Sequence, residues 1–143
     1  MEGRLKRLEA LNKTLNPTHD LSGVFLPVGS PKQFDVMFLA EMPSMNVPKD
    51  WVEGQPIPNF AETARDKFWQ EMMIKYGVAG SYVTDIVKTR DVPRSPKPDE
   101  VTRWLPFLLK EIEIIQPQTL VVLGKRTYEA SFRPFHRHAV APK

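Results

Sequence analysis

The sequence predicts an α/β fold, a three-layer α/β/α domain with a central parallel sheet, and three observations carry that expectation. Short apolar runs at Asp35–Leu39, Ser81–Val87 and Thr119–Leu123 have strand length and suit strands buried on both faces. Segments of helical periodicity separate them. The 14 prolines fall mostly between these segments and mark the connections. Strands alternating with helices argue for right-handed crossovers that lay helices on both faces of one sheet.

Taken in order, Gly3 to Leu15 spaces Leu5, Leu8, Leu11 and Leu15 as a polar helix, which Asn16-Pro17 stops. Asp35–Leu39 is the first central strand. The loop from Ala40 to Asn59 holds four prolines and exceeds an ordinary connection, the mark of a functional loop. From Phe60 a helix runs to Gly77, with Ala64, Phe68, Met72 and Tyr76, beside Trp69 and Met73, expected to form its core stripe. Ser81–Val87 is the second strand, followed by a proline-punctuated loop from Thr89 to Pro98. Pro98 suits a first helical turn, and Val101, Leu105, Leu108, Leu109, Ile112 and Ile115 trace an apolar face up to Gln116-Pro117. Pro106 inside that helix is expected to kink it. Thr119–Leu123 is the third strand, and Gly124 turns the chain into a short helix from Arg126 to Ser131.

A length of 143 residues is that of one domain, so one core and one site are expected over residues 1–143. Hydrophobic residues at 41% and charged residues at 26% give a globular composition. The opening stretch lacks the apolar run of a secretory signal, and no segment has the length of a membrane span. With no cysteine in the chain, disulfides, thiol catalysis and cysteine-ligated iron or zinc are excluded, and a cytoplasmic address is expected. The net charge is only +3, yet five Lys or Arg residues from Lys125 onward face one acid, Glu129, with His136 and His138 in addition. Such an end neutralises phosphates, although a solvated terminus has the same composition.

Ligands of open parallel sheets bind outside the carboxyl ends of the strands. That rule selects Glu41, Met42, Pro43 and Ser44 after the first strand, Asp85 near the end of the second, and Gly124, Lys125 and Arg126 after the third. Glu41 and Asp85 then stand as two carboxylates at one edge. The structural alternative is a loop-capping Glu41 and an Asp85 bonded to backbone amides.

Val36-Met37-Phe38-Leu39-Ala40-Glu41-Met42-Pro43-Ser44 resembles the strand-plus-loop motif of the uracil-DNA glycosylase superfamily, in its Gly-Glu-Ala-Pro-Gly form. Tyr82-Val83-Thr84-Asp85-Ile86-Val87-Lys88-Thr89-Arg90 is similar to that family's Tyr-Ile-Thr-Asn-Val-Val-Lys-Cys-Arg segment. Glu100, Pro106, Leu108, Glu111-Ile112, Ile115, Pro117 and Val121-Val122-Leu123-Gly124 follow its next helix and strand in order and spacing, so the resemblance covers about residues 35 to 126.

The resemblance implies a DNA glycosylase that flips a damaged base from the stack and hydrolyses its N-glycosidic bond. It implies Phe60 as the ring that stacks on the base and Asp85 as the base reader, with Met42 and Ser44 lining the pocket. Lys88, Arg90, Lys125 and Arg126 are the expected DNA contacts. Glu41 is placed to stabilise the cationic sugar, and Asp50 and Glu53, further along the loop, are candidate acids for water activation. His136, in Phe135-His136-Arg137-His138, is the candidate for the family's catalytic histidine. The expected partner is damaged or single-stranded DNA, bound by a monomer without cofactor, metal or membrane.

Four departures bear on the activity. Iron–sulfur cysteines of clustered members correspond to Thr89 and Trp104, so no cluster is expected and Trp104 is expected to pack in its place. The family's asparagine both donates to and accepts from uracil, whereas an ionised Asp85 only accepts. Either Asp85 is protonated or the preferred base presents donors, as a purine lactam does. Met42 occupies the position that carries an acid or Asn, and no Pro-Ser follows the histidines. These departures keep a second reading open, a nucleotide- or nucleic-acid-binding module that does not cleave. A phosphate site at Gly124-Lys125-Arg126 in some other nucleotide-binding family ranks last, since no Gly-x-Gly-x-x-Gly or Gly-Lys-Ser/Thr loop is present.

Overall fold

The computed structural model describes residues 2–15, 25–27, 31–43, 49–52, 57–59, 64–90 and 94–132. Its elements follow the order α1 (Glu2–Asn12), β1 (Phe25–Pro27), β2 (Val36–Ala40), β3 (Ile57–Asn59), α2 (Ala64–Lys75), β4 (Tyr82–Asp85), α3 (Pro98–Ile115), β5 (Thr119–Val122) and α4 (Lys125–Phe132). The three strands read from the sequence form one sheet in the order β4-β2-β5. Both pairings are parallel, with Met37 opposite Tyr82 and Leu120, and Leu39 opposite Thr84 and Val122.

Alternation along β2 and β4 separates the two faces. Met37, Leu39 and Tyr82 join Leu8 and Leu11 of α1 and Trp104, Leu108 and Ile115 of α3 in the main core. On the opposite face Phe38 meets Trp69 of α2 edge to face, with ring centroids 5.2 Å apart. Helices therefore cover both faces, as the fold class requires.

In α3 the bounds read from the sequence hold, but Leu109, expected on the apolar face, is 42% exposed. Pro98 starts it, Glu100 accepts a 3.4 Å hydrogen bond from the Lys97 backbone N–H, and Gln116 ends it in the left-handed region at φ 49°. Trp104, as expected, is buried, edge-on to Phe107 at 5.7 Å. The helix is continuous through Pro106, which lies on its exposed side.

Three further expectations are corrected. β5, at the sheet edge, is not buried on both faces: Thr119 is exposed and Leu120, Val121 and Val122 are partly buried. The Ala40–Asn59 loop is not wholly irregular, because Ile57–Asn59 pairs in parallel with Phe25–Pro27 as a separate two-stranded sheet. Three-residue strands carry too little periodicity to be seen in a sequence. The stripe on α2 is also not core as a whole: Phe68 is 62% and Tyr76 65% exposed, and Trp69, Met72 and Met73 are partly buried. A ladder with strict spacing of four advances about 40° around a helix at each step, so its ends leave the contact line.

Candidate nucleobase site

The carboxyl edge of the sheet is built by hydrogen bonds that run past the strand ends. Ile86 N–H donates to Ala40 O at 2.9 Å and Val87 N–H to Glu41 O at 3.3 Å. Ala40 pairs with Asp85 in the strand register. Glu41 is therefore fixed one residue beyond Asp85's partner, and the two predicted carboxylate residues do lie on adjacent segments of one edge. Leu123 N–H donates to Leu39 O at 2.8 Å, which brings Gly124 to the same end.

Gly124 makes the turn from β5 into α4 at φ 96°, a conformation that favours glycine. Tyr128 N–H reaches its carbonyl at 3.1 Å and the Thr127 hydroxyl donates to Leu123 O at 2.7 Å, closing the first turn of α4. Lys125 and Arg126 are thereby exposed at the edge, as expected. Lys125 lies 3.7 Å from Glu129 in an exposed i, i+4 pair, and Arg126 donates to the Ser95 hydroxyl at 2.6 Å.

Asp85 is 1% exposed and Glu41 is partly buried. Met42 packs against the hydrophobic core, so it contributes to the floor of the edge. Asp50 lies on an exposed turn. Arg90 donates to Pro43 O at 2.8 Å and to Arg94 O at 3.2 Å, which ties the first-strand loop to the loop before α3. Ser44, Glu53, Phe60 and His136 lie outside the described residues.

Lys88, an expected DNA contact, requires a correction. Its side chain has no exposed surface, and its ammonium pairs with the equally buried Glu111. It also donates to the Asp85 carbonyl at 2.6 Å and sits 5.2 Å from the Phe107 ring centroid. Burial leaves it no path to a phosphate. Glu111 further accepts from Tyr82 at 2.6 Å and Thr84 at 3.0 Å. Burial, and next the Glu111 charge, hold the Tyr82 phenol well above its ordinary 10.0. This network braces β4 on α3 directly behind Asp85. Its signal in the sequence is Glu111 itself, which completes a Trp104, Leu108, Glu111, Ile115 stripe at spacings of four, three and four.

Glu41 also borders a cleft of about 770 Å³ whose walls come from the loop before α3, from α3 and from α4. Ser95 and Thr102, which line it, carry no motif that singles them out in the sequence. Among the described residues no group of three or more His, Asp or Glu side chains is arranged to hold a metal ion. An iron–sulfur centre does not fit this chain: it has no thiolate, and Trp104, at one of the corresponding positions, carries only an N–H donor. No helix among the described residues is long and apolar enough to cross a membrane.

Comparison with known proteins agrees with this architecture. The Type-4 uracil-DNA glycosylase of Sulfurisphaera tokodaii is 32% identical over 107 residues, 73% of this chain and 46% of that protein. The corresponding protein of Saccharolobus solfataricus is 28% identical over 102 residues, covering 69% of this chain and 44% of the relative. For the Archaeoglobus fulgidus protein the identity is 25% over 120 residues, with 82% and 57% covered. The chain thus spans about half the length of the curated relatives it matches. The profile of the Uracil DNA glycosylase superfamily matches residues 26–141, a span that contains the whole β4-β2-β5 sheet and its carboxyl edge, and the chain belongs to that superfamily.

Proposed function

We propose that the protein is a DNA glycosylase that hydrolyses the N-glycosidic bond of uracil or another deaminated base flipped out of DNA. The observation that carries this reading is the convergence of Glu41 and Asp85 on one sheet edge, in a chain of the uracil-DNA glycosylase superfamily. Similarity to proteins named Type-4 uracil-DNA glycosylases supports it.

In the reaction, the bond from C1′ of the sugar to the base nitrogen breaks and its electron pair leaves with the base. Water forms the new C1′–O bond and loses one proton, and the departing base anion takes up one in exchange. Positive charge builds on the sugar meanwhile, and a fixed carboxylate at Glu41 stabilises it. Asp85 reads the base edge. Its ionised form accepts hydrogen bonds from a donor-bearing base, and its protonated form offers the donor that a uracil carbonyl needs. Phe60 is assigned to stacking and His136 to the leaving base by resemblance, with Asp50 and Glu53 the candidates for orienting water.

Single-turnover incubation with DNA carrying uracil, hypoxanthine or xanthine, scored for alkali-labile abasic sites, tests the reading. Strand breakage that is lost in Glu41→Gln supports it. Binding of these DNAs without breakage at any base favours the second reading, a non-cleaving nucleic-acid-binding module, for which Met42 in place of an acid is the specific observation.

A further inference from the structure

The cleft beside Glu41 opens at the same end of the sheet without Asp85 among its lining residues, and it has the chemistry of a binding site. Pro96, Pro98, Val101 and Leu105 form an apolar wall, with Arg126 and Glu41 at its rim. A volume near 770 Å³ lies within the range of small-ligand pockets and holds a nucleotide. Glu41 is partly buried there, and its carboxylate has no hydrogen-bonding partner among the described residues. Arg126 and the Ser95 hydroxyl, joined at 2.6 Å, place one cation and one hydroxyl among the lining groups.

We infer that this cleft is a subsite for the nucleotide next to the flipped one, a deepening that rests on the glycosylase reading above. Its charge balance selects that ligand. Of the cleft's two carboxylates Glu129 is paired with Lys125, which leaves one cation, Arg126, and one carboxylate, Glu41; that balance disfavours a polyphosphate, whereas the apolar wall favours a flat base bearing a single phosphodiester. Shared use of Glu41 fixes the geometry: the base site lies on the Asp85 side of this residue and the neighbouring nucleotide on the α3–α4 side. The neighbour's base packs on Pro96, Pro98, Val101 and Leu105, and its phosphate takes the Arg126 guanidinium. The enzyme therefore reads the presence of a base beside its target.

The test uses single-stranded oligonucleotides with one uracil, in which the 5′ or the 3′ neighbour is a normal nucleotide or a tetrahydrofuran residue lacking a base. Binding is followed by fluorescence anisotropy and excision by single-turnover kinetics. Loss of the neighbouring base on one side weakens wild-type binding about tenfold and leaves the rate at saturation within about twofold. Thr102→Glu, an exposed change that adds a carboxylate to the cleft, weakens binding of the normal strand to the same degree and abolishes the effect of the missing base. Equal binding of all strands by wild type, or an unchanged response in Thr102→Glu, overturns the subsite. Because anisotropy needs no cleavage, absence of excision when uracil, hypoxanthine or xanthine is the target base, with the one-sided binding effect intact, overturns the glycosylase reading alone.

Discussion

Lys88 and Glu111 meet in the core with no exposed side-chain surface, so each charge depends on the other. A buried pair adds little net stability, but removing one member strands its partner. Glu111→Ala is expected to cost about 3–5 kcal/mol in urea denaturation. Replacement of both by apolar residues of similar volume is expected to cost far less. Tyr82 adds a pH signature. Its folded phenol titrates above 10.0, so the folded state keeps a proton that the unfolded chain loses at that pH. The stability this confers is complete below pH 10.0 and falls as pH rises beyond it. Tyr82→Phe is expected to cost about 1 kcal/mol at neutral pH and to show a smaller alkaline decline than wild type in denaturant titrations between about pH 9 and 11. At this scale Glu41 and Asp85 are legible in the sequence, because strand ends follow from the apolar runs. Lys88 is not: a lysine just past a strand reads as exposed until a charged partner in the facing helix's buried stripe is recognised.

Among the elements, α3 and α2 contrast. α3 combines Pro98, Glu100, a continuous apolar stripe and the left-handed Gln116, and all these signals agree on its bounds. Its stripe anchors the core through Trp104, Leu108 and Ile115. α2 is legible as a helix, but its contact line is not, since a spacing of four alone does not hold one face. Substitution distinguishes the two lines. Phe68→Lys is expected to change stability by less than about 0.5 kcal/mol, whereas Trp69→Ala, which removes the ring against Phe38, is expected to cost about 2 kcal/mol. Thermal or chemical denaturation of both variants checks the pair, and equal losses would return Phe68 to the core stripe. The β1–β3 pairing is illegible for a different reason: its register depends on contacts between segments some thirty residues apart, which no local pattern encodes.

For the molecule as a whole, a parallel sheet with helices on both faces leaves one end for chemistry, and the candidate functional groups gather there. Cations at that end act by position more than by number, given a net charge of only +3. Lys88 is withdrawn into the core and Arg90 braces two loops, which leaves Lys125 and Arg126 as the exposed pair at the start of α4. Lys125→Ala with Arg126→Ala is expected to lower the slope of log K for DNA against log salt by about 2, measured as binding over a salt series. An unchanged slope would assign phosphate contact elsewhere. The fold class, the three strands and the edge are thus readable from the sequence, because alternation of strand and helix fixes topology. The cleft is not, since its walls come from three segments whose side chains meet only after α3 and α4 pack.

If Asp85 reads the base while Glu41 supports its release, then Asp85→Asn is the decisive variant. Free base released from uracil-, hypoxanthine- and xanthine-containing DNA is quantified by chromatography for wild type and variant. The introduced asparagine, which both donates and accepts, is expected to raise release of uracil relative to the purines by at least about tenfold, while DNA binding by the variant stays near wild type. An unchanged ratio among the three bases, with release intact, would contradict the assignment of Asp85 as the base reader.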